Sequence, residues 1–288
     1  MLNLTDMQTV RELAKKHNFS FSKGLGQNFL IDESVCPAIA EYGIPSQDCC
    51  ALEVGAGFGV LTQQLALNAK KVVAVELDTR LAPVLEETLS DFDNASIVWK
   101  DITKVDVKQF LKDQFGDSDV AFCANLPYYI TSPILMQLLE SGAKFTSITV
   151  MVQKEAADRL CAEIGSRAAG AVTAAVQLRG SAELLFEVPR TSFYPAPNVD
   201  SAVIRITPYD TPLCDEETLT FTLKMVKAGF AQRRKTAVNG LSAGLGLSKE
   251  QVTAALESCG LSPTVRFEAL DRDTLLRLSD ALRQAEIR

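Results

Sequence analysis

Five apolar runs alternate with segments of helical periodicity between residues 49 and 153. The runs are CCALEV, KKVVAVELD, ASIVWKD, DVAFCANLP and SITVMVQ. Strands that alternate with helices at this spacing pair in parallel, because the chain must cross over through a helix to reach each next strand. We therefore predict an α/β fold with helices on both faces of the sheet. The carboxyl ends of such strands share one edge, where ligands bind.

The pattern changes after Gly180. ELLFEVP, SFYPAP and SAVIRITP look like short strands separated by prolines, which indicates an antiparallel addition at the sheet edge. From Glu216 onward the periodicity is helical, and glycines punctuate the segments 216–232, 234–244, 248–259 and 273–285. We predict a larger domain over 1–208, which begins with a helix over 5–17, and a smaller all-helical domain over 209–288.

Composition narrows the possible chemistry. The 288 residues include seven cysteines without a C-x-x-C pair and a single histidine, His17. This argues against a zinc site and against Ser-His-Asp or Cys-His catalysis, so we expect no metal. The odd number of cysteines in apolar settings predicts reduced, buried thiols in a cytosolic protein. We expect His17, beside Lys15 and Lys16, on an exposed helix face.

Charge and hydropathy exclude further classes. The net charge of −7 argues against a surface covered in positive charge, as general nucleic-acid binders often have. A local basic patch is still possible in KMVKAGFAQRRK, at residues 224–235. We find no apolar run long enough to cross a membrane and no secretory signal, and expect a cytoplasmic protein without membrane contact.

A glycine-rich turn, EVGAGFG, follows the first strand and opens a helix. Gly55, Gly57 and Gly59 let a ligand approach the backbone closely. The dinucleotide fingerprint requires a small residue at position 60, which is Val60, and no phosphate-binding lysine follows. The turn therefore favours a nucleoside cofactor without phosphates, and S-adenosylmethionine fits.

Two carboxylates end the next two strands. Glu76 ends the second strand, where it could accept hydrogen bonds from both ribose hydroxyls of a cofactor. Asp101 ends the third, where it could accept from an adenine amino group. Each alone could be an ordinary turn acid or helix cap, but together with the glycine turn they predict a cofactor site.

The fourth strand ends in Asn125-Leu126-Pro127-Tyr128. An exocyclic amine of a base is a poor nucleophile, because its lone pair is delocalised into the ring. Two acceptors that hold its N–H groups, the Asn125 side chain and the carbonyl of Leu126 or Pro127, would orient that lone pair for methyl transfer. Tyr128 would stack on the base, which must first leave its own stack. Alternatively, the segment is a strand-terminal turn with core tyrosines.

These motifs together resemble a known family. SKGLGQNFL at 22–30, EVGAGFGVLT, NLPYYITSPIL, SFYPAPNVDSAV at 192–203 and AGFAQRRKT are similar to ribosomal RNA adenine N6,N6-dimethyltransferases, and most of all to their bacterial small-subunit (16S) branch. The resemblance covers about residue 18 to the end. It implies a Rossmann-like class I S-adenosylmethionine-dependent methyltransferase sheet, and dimethylation of two adjacent adenosines in a 3′-terminal hairpin of 16S ribosomal RNA, with a role in ribosome biogenesis.

The resemblance also implies roles for individual residues. The cofactor would be held by Gln27, Asn28, Leu30, Gly55, Gly57, Glu76, Asp101 and Asn125. The target amine would be held by Asn125, Leu126, Pro127 and Tyr128, with Phe193 stacking on the other face of the adenine. The RNA phosphates would be met by Lys23, Arg233, Arg234 and Lys235. Residues 18–30 would form a lid, and the helical domain would contact RNA. We expect a monomer.

The sequence departs from the family pattern in two segments. GSRAAGA at 165–171 stands where the family commonly has Gly-x-Leu-Ser, and RFEALDRDT at 266–274 replaces a more basic stretch. Both lie outside the cofactor motifs, so they bear on RNA contacts rather than on the chemistry.

Other functions share parts of this pattern. A large-subunit methyltransferase of the antibiotic-resistance type has the same fold, although FYPAPNVDSAV favours the small-subunit branch. A mainly non-catalytic assembly factor for the small subunit is also possible, although it would not need Glu76, Asp101 and Asn125. A DNA adenine methylase is disfavoured because no recognition insertion is visible. A nicotinamide-dependent dehydrogenase is disfavoured by Val60 and by the lack of a catalytic histidine.

Overall fold

The structure, a computed structural model, describes residues 1–20 and 29–286. It divides into two compact units, Met1–Ala157 with Glu183–Pro208, and Asp158–Ala182 with Tyr209–Arg288. The junction after Pro208 coincides with the predicted domain boundary. The segment 158–182, which we had assigned to the larger domain, groups instead with the helical unit.

The strands of the described residues are β1 (Phe29–Leu30), β2 (Cys50–Val54), β3 (Val72–Glu76), β4 (Ala95–Trp99), β5 (Val120–Asn125), β6 (Ile148–Gln153), β7 (Gly180–Val188), β8 (Phe193–Tyr194) and β9 (Ser201–Pro208). The helices are α1 (Met7–Lys16), α2 (Val35–Gly43), α3 (Val60–Asn68), α4 (Ala82–Thr88), α5 (Val107–Phe115), α6 (Thr131–Glu140), α7 (Lys154–Leu160), α8 (Ala171–Arg179), α9 (Glu216–Ala231), α10 (Ala237–Leu245), α11 (Lys249–Ser258) and α12 (Arg272–Glu286).

Seven strands form the larger sheet in the order β4-β3-β2-β5-β6-β9-β7. The strands from β4 to β6 pair in parallel, as predicted, and β9 pairs antiparallel with β6. The chain runs outward from β2 to β4 and then returns to the other side of β2 as β5. The connections after β2 and β5 therefore diverge and leave a crevice at the carboxyl ends of these strands.

The core of the sheet follows from the apolar runs. Every side chain of β2 and β3 is buried, which is expected for parallel strands covered by helices on both faces. One cluster of buried residues includes Ile39 of α2 and Leu65 of α3. Another joins Val10 and Leu13 of α1 to Phe58 and Leu85. The N-terminal helix, capped by the Asp6 side chain, is thus part of the core.

His17 does not lie on an exposed face, contrary to our prediction. Its side chain is 16% exposed, and Nε2 lies 2.6 Å from the Glu87 carboxylate. Lys16 pairs with the same carboxylate, and the hydrogen bonds from Lys16 and then His17 lower the pKa of Glu87. No local sequence pattern indicates this partner, because Glu87 lies 70 positions away.

None of the seven cysteines, all of which lie in the described residues, takes part in a disulfide bond. Their burial was predicted only in part. Cys36, Cys49, Cys50 and Cys123 are buried, whereas Cys161, Cys214 and Cys259 are half-buried.

The helical unit depends on close backbone approach. Helix α10 packs along α9, and the ring of Phe267 lies directly against Gly229 of α9. A methyl group at Gly229 would overlap that ring, which is itself 3% exposed. At Gly240 of α10 the nearest atoms would be 3.5 Å from an added Cβ, which is ordinary contact.

We expect Gly229→Ala to lower the free energy of unfolding by about 1–3 kcal/mol, because overpacking forces Phe267 to move. Gly240→Ala is the matched control in the same helix pair. It should be neutral or stabilising by up to about 1 kcal/mol, because alanine is the better helix former. Urea unfolding of both variants measures the difference. Equal stabilities would show that Phe267 can give way without cost.

Candidate active site

A cavity of about 390 Å³ opens in the first unit at the carboxyl ends of β2, β3 and β5, within the usual size range of small-molecule sites. The predicted site residues in its lining are Leu30, Gly55, Gly57, Glu76, Asp101, Asn125, Leu126, Pro127, Tyr128 and Phe193. The structure therefore brings together the predicted catalytic residues and all predicted cofactor residues that it describes. Gln27, Asn28 and Lys23 lie outside the described residues.

The glycines of the turn after β2 fall into two kinds. All three have positive φ angles, +83° at Gly55, +56° at Gly57 and +91° at Gly59, which disfavour side chains. A Cβ at Gly55 or Gly57 would meet no atom of the described residues within 4 Å, so that part of the chain leaves open space beside the backbone there. At Gly59 a Cβ would lie 3.1 Å from the Thr88 hydroxyl. Gly59 thus serves packing against α4, while the first two border the cavity.

Glu76 links the glycine turn to the end of β3. Its Oε2 accepts a hydrogen bond from the Gly57 N–H at 3.1 Å, and its Oε1 accepts from the N–H groups of Leu77 and Asp78 at 2.8 Å each. The residue is 8% exposed. Since Oε2 has one donor among the residues that the structure describes, it can accept another hydrogen bond from a ligand.

Asp101 caps a 3-10 turn, Ile102–Lys104, and also lines the cavity. The hydrogen bond from the Thr103 hydroxyl, at 2.6 Å, is the main cause that lowers the pKa of Asp101, and Lys104 lies 3.3 Å from Oδ2. The carboxylate is therefore ionised at neutral pH and can act only as an acceptor. The cap and the cavity wall are two roles of one side chain.

Glu53 is a functional candidate that we did not single out. It lies in β2, is 1% exposed, and lines the cavity. Its Oε2 is buried without a hydrogen-bond partner among the described residues. Burial, with the negative charge of Glu76 acting in the same direction, raises the pKa of Glu53 to about 8. The signal in the sequence was an acid inside an otherwise apolar strand, CALEV.

The Asn125–Tyr128 segment leaves some polar groups free and occupies others. The Leu126 N–H donates to the Met151 carbonyl at 3.2 Å, which fixes the end of β5. The Pro127 carbonyl accepts from the Ile130 N–H at 3.1 Å and from the Thr131 hydroxyl at 3.3 Å. Within the described chain, the Asn125 side chain and the Leu126 carbonyl make no such hydrogen bond.

Aromatic side chains bound the same space. The Tyr128 hydroxyl lies 2.7 Å from the Ser201 hydroxyl of β9, which fixes the ring. Phe193 is 4% exposed and is held by the antiparallel pairing of β8 with β1, opposite Leu30. Phe193 belongs to the core and lines the cavity as well.

The predicted RNA-contacting arginines lie in the helical unit. Arg233 is paired with Glu268 at 2.5 Å and donates to the Arg167 carbonyl at 2.6 Å. Arg234 and Lys235 are exposed. Arg233 therefore has an established partner, while Arg234 and Lys235 present their charges to solvent.

The described residues, 1–20 and 29–286, show neither a metal site nor a membrane span. No cluster of three or more histidine, cysteine or carboxylate side chains could hold a metal ion there. None of the helices in that part of the chain is long and apolar enough to cross a membrane.

The residues of the cavity fit a cationic nucleoside cofactor. Open space borders Gly55 and Gly57, where a bound group would replace the missing side chains. Carboxylate oxygens of Glu76 and Asp101 can accept from hydroxyl and amino groups. The unpartnered oxygen of Glu53 is in a position where a positive charge would be stabilised.

Comparisons with known proteins agree with this architecture. A family model described as ribosomal RNA adenine dimethylase matches residues 18–284. A ribosomal RNA small subunit methyltransferase A from Streptococcus gordonii is 43% identical over 98% of this chain and 99% of its own length. A protein of the same name from Geobacillus thermodenitrificans is 45% identical over 94% of each chain.

Solved structures give the same picture. The 23S rRNA methyltransferase ErmE has a TM-score of 0.65 and 29% identity, covering 89% of this chain and all of its own. A dimethyladenosine transferase from Plasmodium falciparum has a TM-score of 0.70 and 24% identity, covering 89% of this chain and 98% of its own, and supports the fold alone.

We expect Glu53→Gln to remove a pH-dependent destabilisation of the cofactor-free protein. The pKa of Glu53 is raised from 4.5 to about 8 by folding, so the native state holds a proton that the unfolded state releases. Wild-type stability should therefore fall as pH rises through this window. The Tm of the variant relative to wild type should increase between about pH 5 and pH 8 and then level off. A constant difference across these pH values would contradict the assignment.

Proposed function

This chain belongs to the ribosomal RNA adenine dimethylase family, and we propose that its substrate is a pair of adjacent adenosines in the RNA of the small ribosomal subunit. It is a ribosomal RNA adenine dimethyltransferase and uses S-adenosylmethionine as the methyl donor. The small-subunit assignment rests on the names of relatives that are 43% and 45% identical over nearly the whole chain.

The cofactor would be held at the crevice between β2 and β5. Gly55 and Gly57 leave room for it against the backbone, Glu76 accepts from its ribose, and Asp101 accepts from its adenine amino group. The Glu53 carboxyl, kept protonated by burial in the free protein, would ionise beside the cationic sulfur and so compensate its positive charge. When bound, S-adenosylmethionine supplies a methyl group made electrophilic by a cationic sulfur. Leu30, Gln27, Asn28 and the Asn125 side chain complete the predicted cofactor contacts.

The target amine would be oriented by two acceptors. The Pro127 carbonyl already accepts two hydrogen bonds, from Ile130 and Thr131, so it has little capacity for a third. The Leu126 carbonyl and the Asn125 side-chain oxygen are the acceptors that remain. This observation supports the proposal most directly, because two free acceptors at the end of β5 match the two N–H groups of an adenine amine.

Two aromatic rings would hold the base between them. Tyr128, fixed through Ser201, stacks on one face of the adenine, and Phe193 lies against the other. Base–aromatic stacking is worth about 1–3 kcal/mol, which offsets part of the cost of unstacking the adenosine. Rate then arises from positioning and electrostatics, since the proton leaves the nitrogen only after the new N–C bond has made it acidic.

Binding of the RNA would extend beyond the cavity. Lys23, Arg234 and Lys235 contact phosphates, which position the RNA without reading its sequence. Arg233 can contribute only if it exchanges its ion pair with Glu268. We also propose that residues 1–208, apart from the segment 158–182, form the catalytic domain, and that 209–288 contact the ribosome as part of a role in its biogenesis. We further propose that the protein acts in the cytoplasm as a monomer.

Methyl incorporation from labelled S-adenosylmethionine tests the substrate. Small subunits that lack the modification, large subunits and naked small-subunit RNA are compared, and products are mapped by nucleoside mass spectrometry. We expect dimethyladenosine in small-subunit RNA only. Label in the large subunit would move the protein to the ErmE-like branch, and tight subunit binding without label would indicate a docking factor.

Asn125→Ala should reduce methyl transfer by at least about 100-fold, because one of the two acceptors for the amine is lost. Cofactor affinity, measured by calorimetry, should change by no more than a few-fold. Turnover equal to that of wild type would exclude the assigned role of Asn125.

Glu76→Gln should weaken cofactor binding by about 10- to 100-fold, since a hydrogen bond to a charged group contributes roughly 1.5–3 kcal/mol. Glutamine can keep one oxygen to accept from Leu77 and Asp78, so the loop after β3 should stay folded. Calorimetry gives the dissociation constant of S-adenosylmethionine. Thermal unfolding is the control that shows whether the variant stays folded. An unaltered dissociation constant would contradict the role.

A further inference from the structure

The two neighbouring phenols of the NLPYY segment are in different environments. Tyr128 has a hydrogen-bond partner in Ser201, whereas Tyr129 is 61% exposed and makes no hydrogen bond or ring contact in the described chain. Both line the cavity. Tyr129 therefore presents an aromatic ring to water at the mouth of the site, although no packing within the described residues requires it there.

The backbone that presents this ring is well anchored. Tyr129 lies in a 3-10 turn, Tyr128–Ile130, directly between β5 and α6. The Pro127 carbonyl accepts from Ile130 and from Thr131, which is itself 3% exposed. On the side of β5, the Leu126 N–H donates a hydrogen bond to the Met151 carbonyl of β6. The backbone that carries the ring is thus anchored on both sides, which lowers the cost of ordering this segment when a ligand binds.

The proposed reaction creates a surface that such a ring would cover. An adenosine that enters the cavity leaves its stack, and the face of the next base loses its neighbour. An aromatic ring can replace that neighbour, because stacking tolerates any base. Tyr129 directly follows Tyr128 in the chain, so its ring is beside the place where the bound adenine would be held.

We propose that Tyr129 stacks on the nucleotide next to the adenosine held in the cavity, and so positions the RNA for transfer. This inference rests on the proposed function. When one adenosine of the pair occupies the site, the nucleotide that stacks on Tyr129 is either the other adenosine of the pair or the nucleotide on the opposite side of the bound adenosine. Tyr129 would contribute to RNA affinity and not to cofactor affinity.

The test compares Tyr129→Leu, which keeps an apolar side chain without a ring, with Tyr129→Phe, which keeps the ring. Tyr42→Leu is the control, since Tyr42 is 46% exposed on α2 and does not line the cavity. Steady-state methylation of unmodified small subunits gives KM and kcat, and calorimetry gives the dissociation constant of S-adenosylmethionine.

We expect Tyr129→Leu to raise KM for subunits by about 5- to 20-fold with an unchanged cofactor dissociation constant. Tyr129→Phe and Tyr42→Leu should stay within about two-fold of wild type, the margin that lost stacking would exceed. If the wild-type protein is active and Tyr129→Leu has the same KM for subunits as wild type, stacking by Tyr129 is excluded while the proposed function stands. A KM increase in Tyr129→Phe as large as in the leucine variant, or an equal increase in the cofactor dissociation constant, would also overturn the inference. A wild-type protein that labels no ribosomal RNA would overturn both proposals.

Discussion

The carboxylate of Glu76 links two backbone segments that border the cavity. It accepts backbone hydrogen bonds from the glycine turn after β2 and from the loop after β3, so the segments that follow these two neighbouring strands share one carboxylate. Hydrogen bonds to a charged group are stronger than neutral ones, and this group is nearly buried. Oε2, which can accept a further hydrogen bond, lies 3.1 Å from the Gly57 nitrogen, and both residues line the cavity. The interaction that shapes the cavity therefore also prepares it for a ligand.

Local sequence was enough to predict the elements that face this cavity. Apolar runs such as CALEV and VVAVE are buried over their whole length, and their ends place Gly55, Glu76, Asp101 and Asn125 at one edge of the sheet. The glycines of the turn after β2 adopt positive φ angles, which other residue types rarely take. The roles of these residues in binding and transfer stay predictions, as do those of Lys23, Gln27 and Asn28.

Other features depend on contacts that no local pattern contains. The orphaned oxygen of Glu53 requires knowledge of what packs around β2, and the occupied carbonyl of Pro127 requires the hydrogen bonds of the following turn. The grouping of 158–182 with the helical unit was missed for the same reason. Arg233 is instructive, because it joins the two segments that depart from the family pattern, through the Arg167 carbonyl and the Glu268 carboxylate. The two atypical segments, 165–171 and 266–274, thus both contact the Arg233 side chain.

In the proposed arrangement, the two acceptors that have no donor among the described residues, at the end of β5, would distinguish the methylation states of the target amine. An unmodified adenine amine offers two N–H groups to the Asn125 oxygen and the Leu126 carbonyl. Each methyl group removes one donor, so the monomethylated base satisfies one acceptor and the dimethylated base satisfies neither. An acceptor left without a donor in a closed site is costly. In the proposed arrangement, each methyl group therefore weakens binding of the target base, and the dimethylated product is the form that the site binds least tightly.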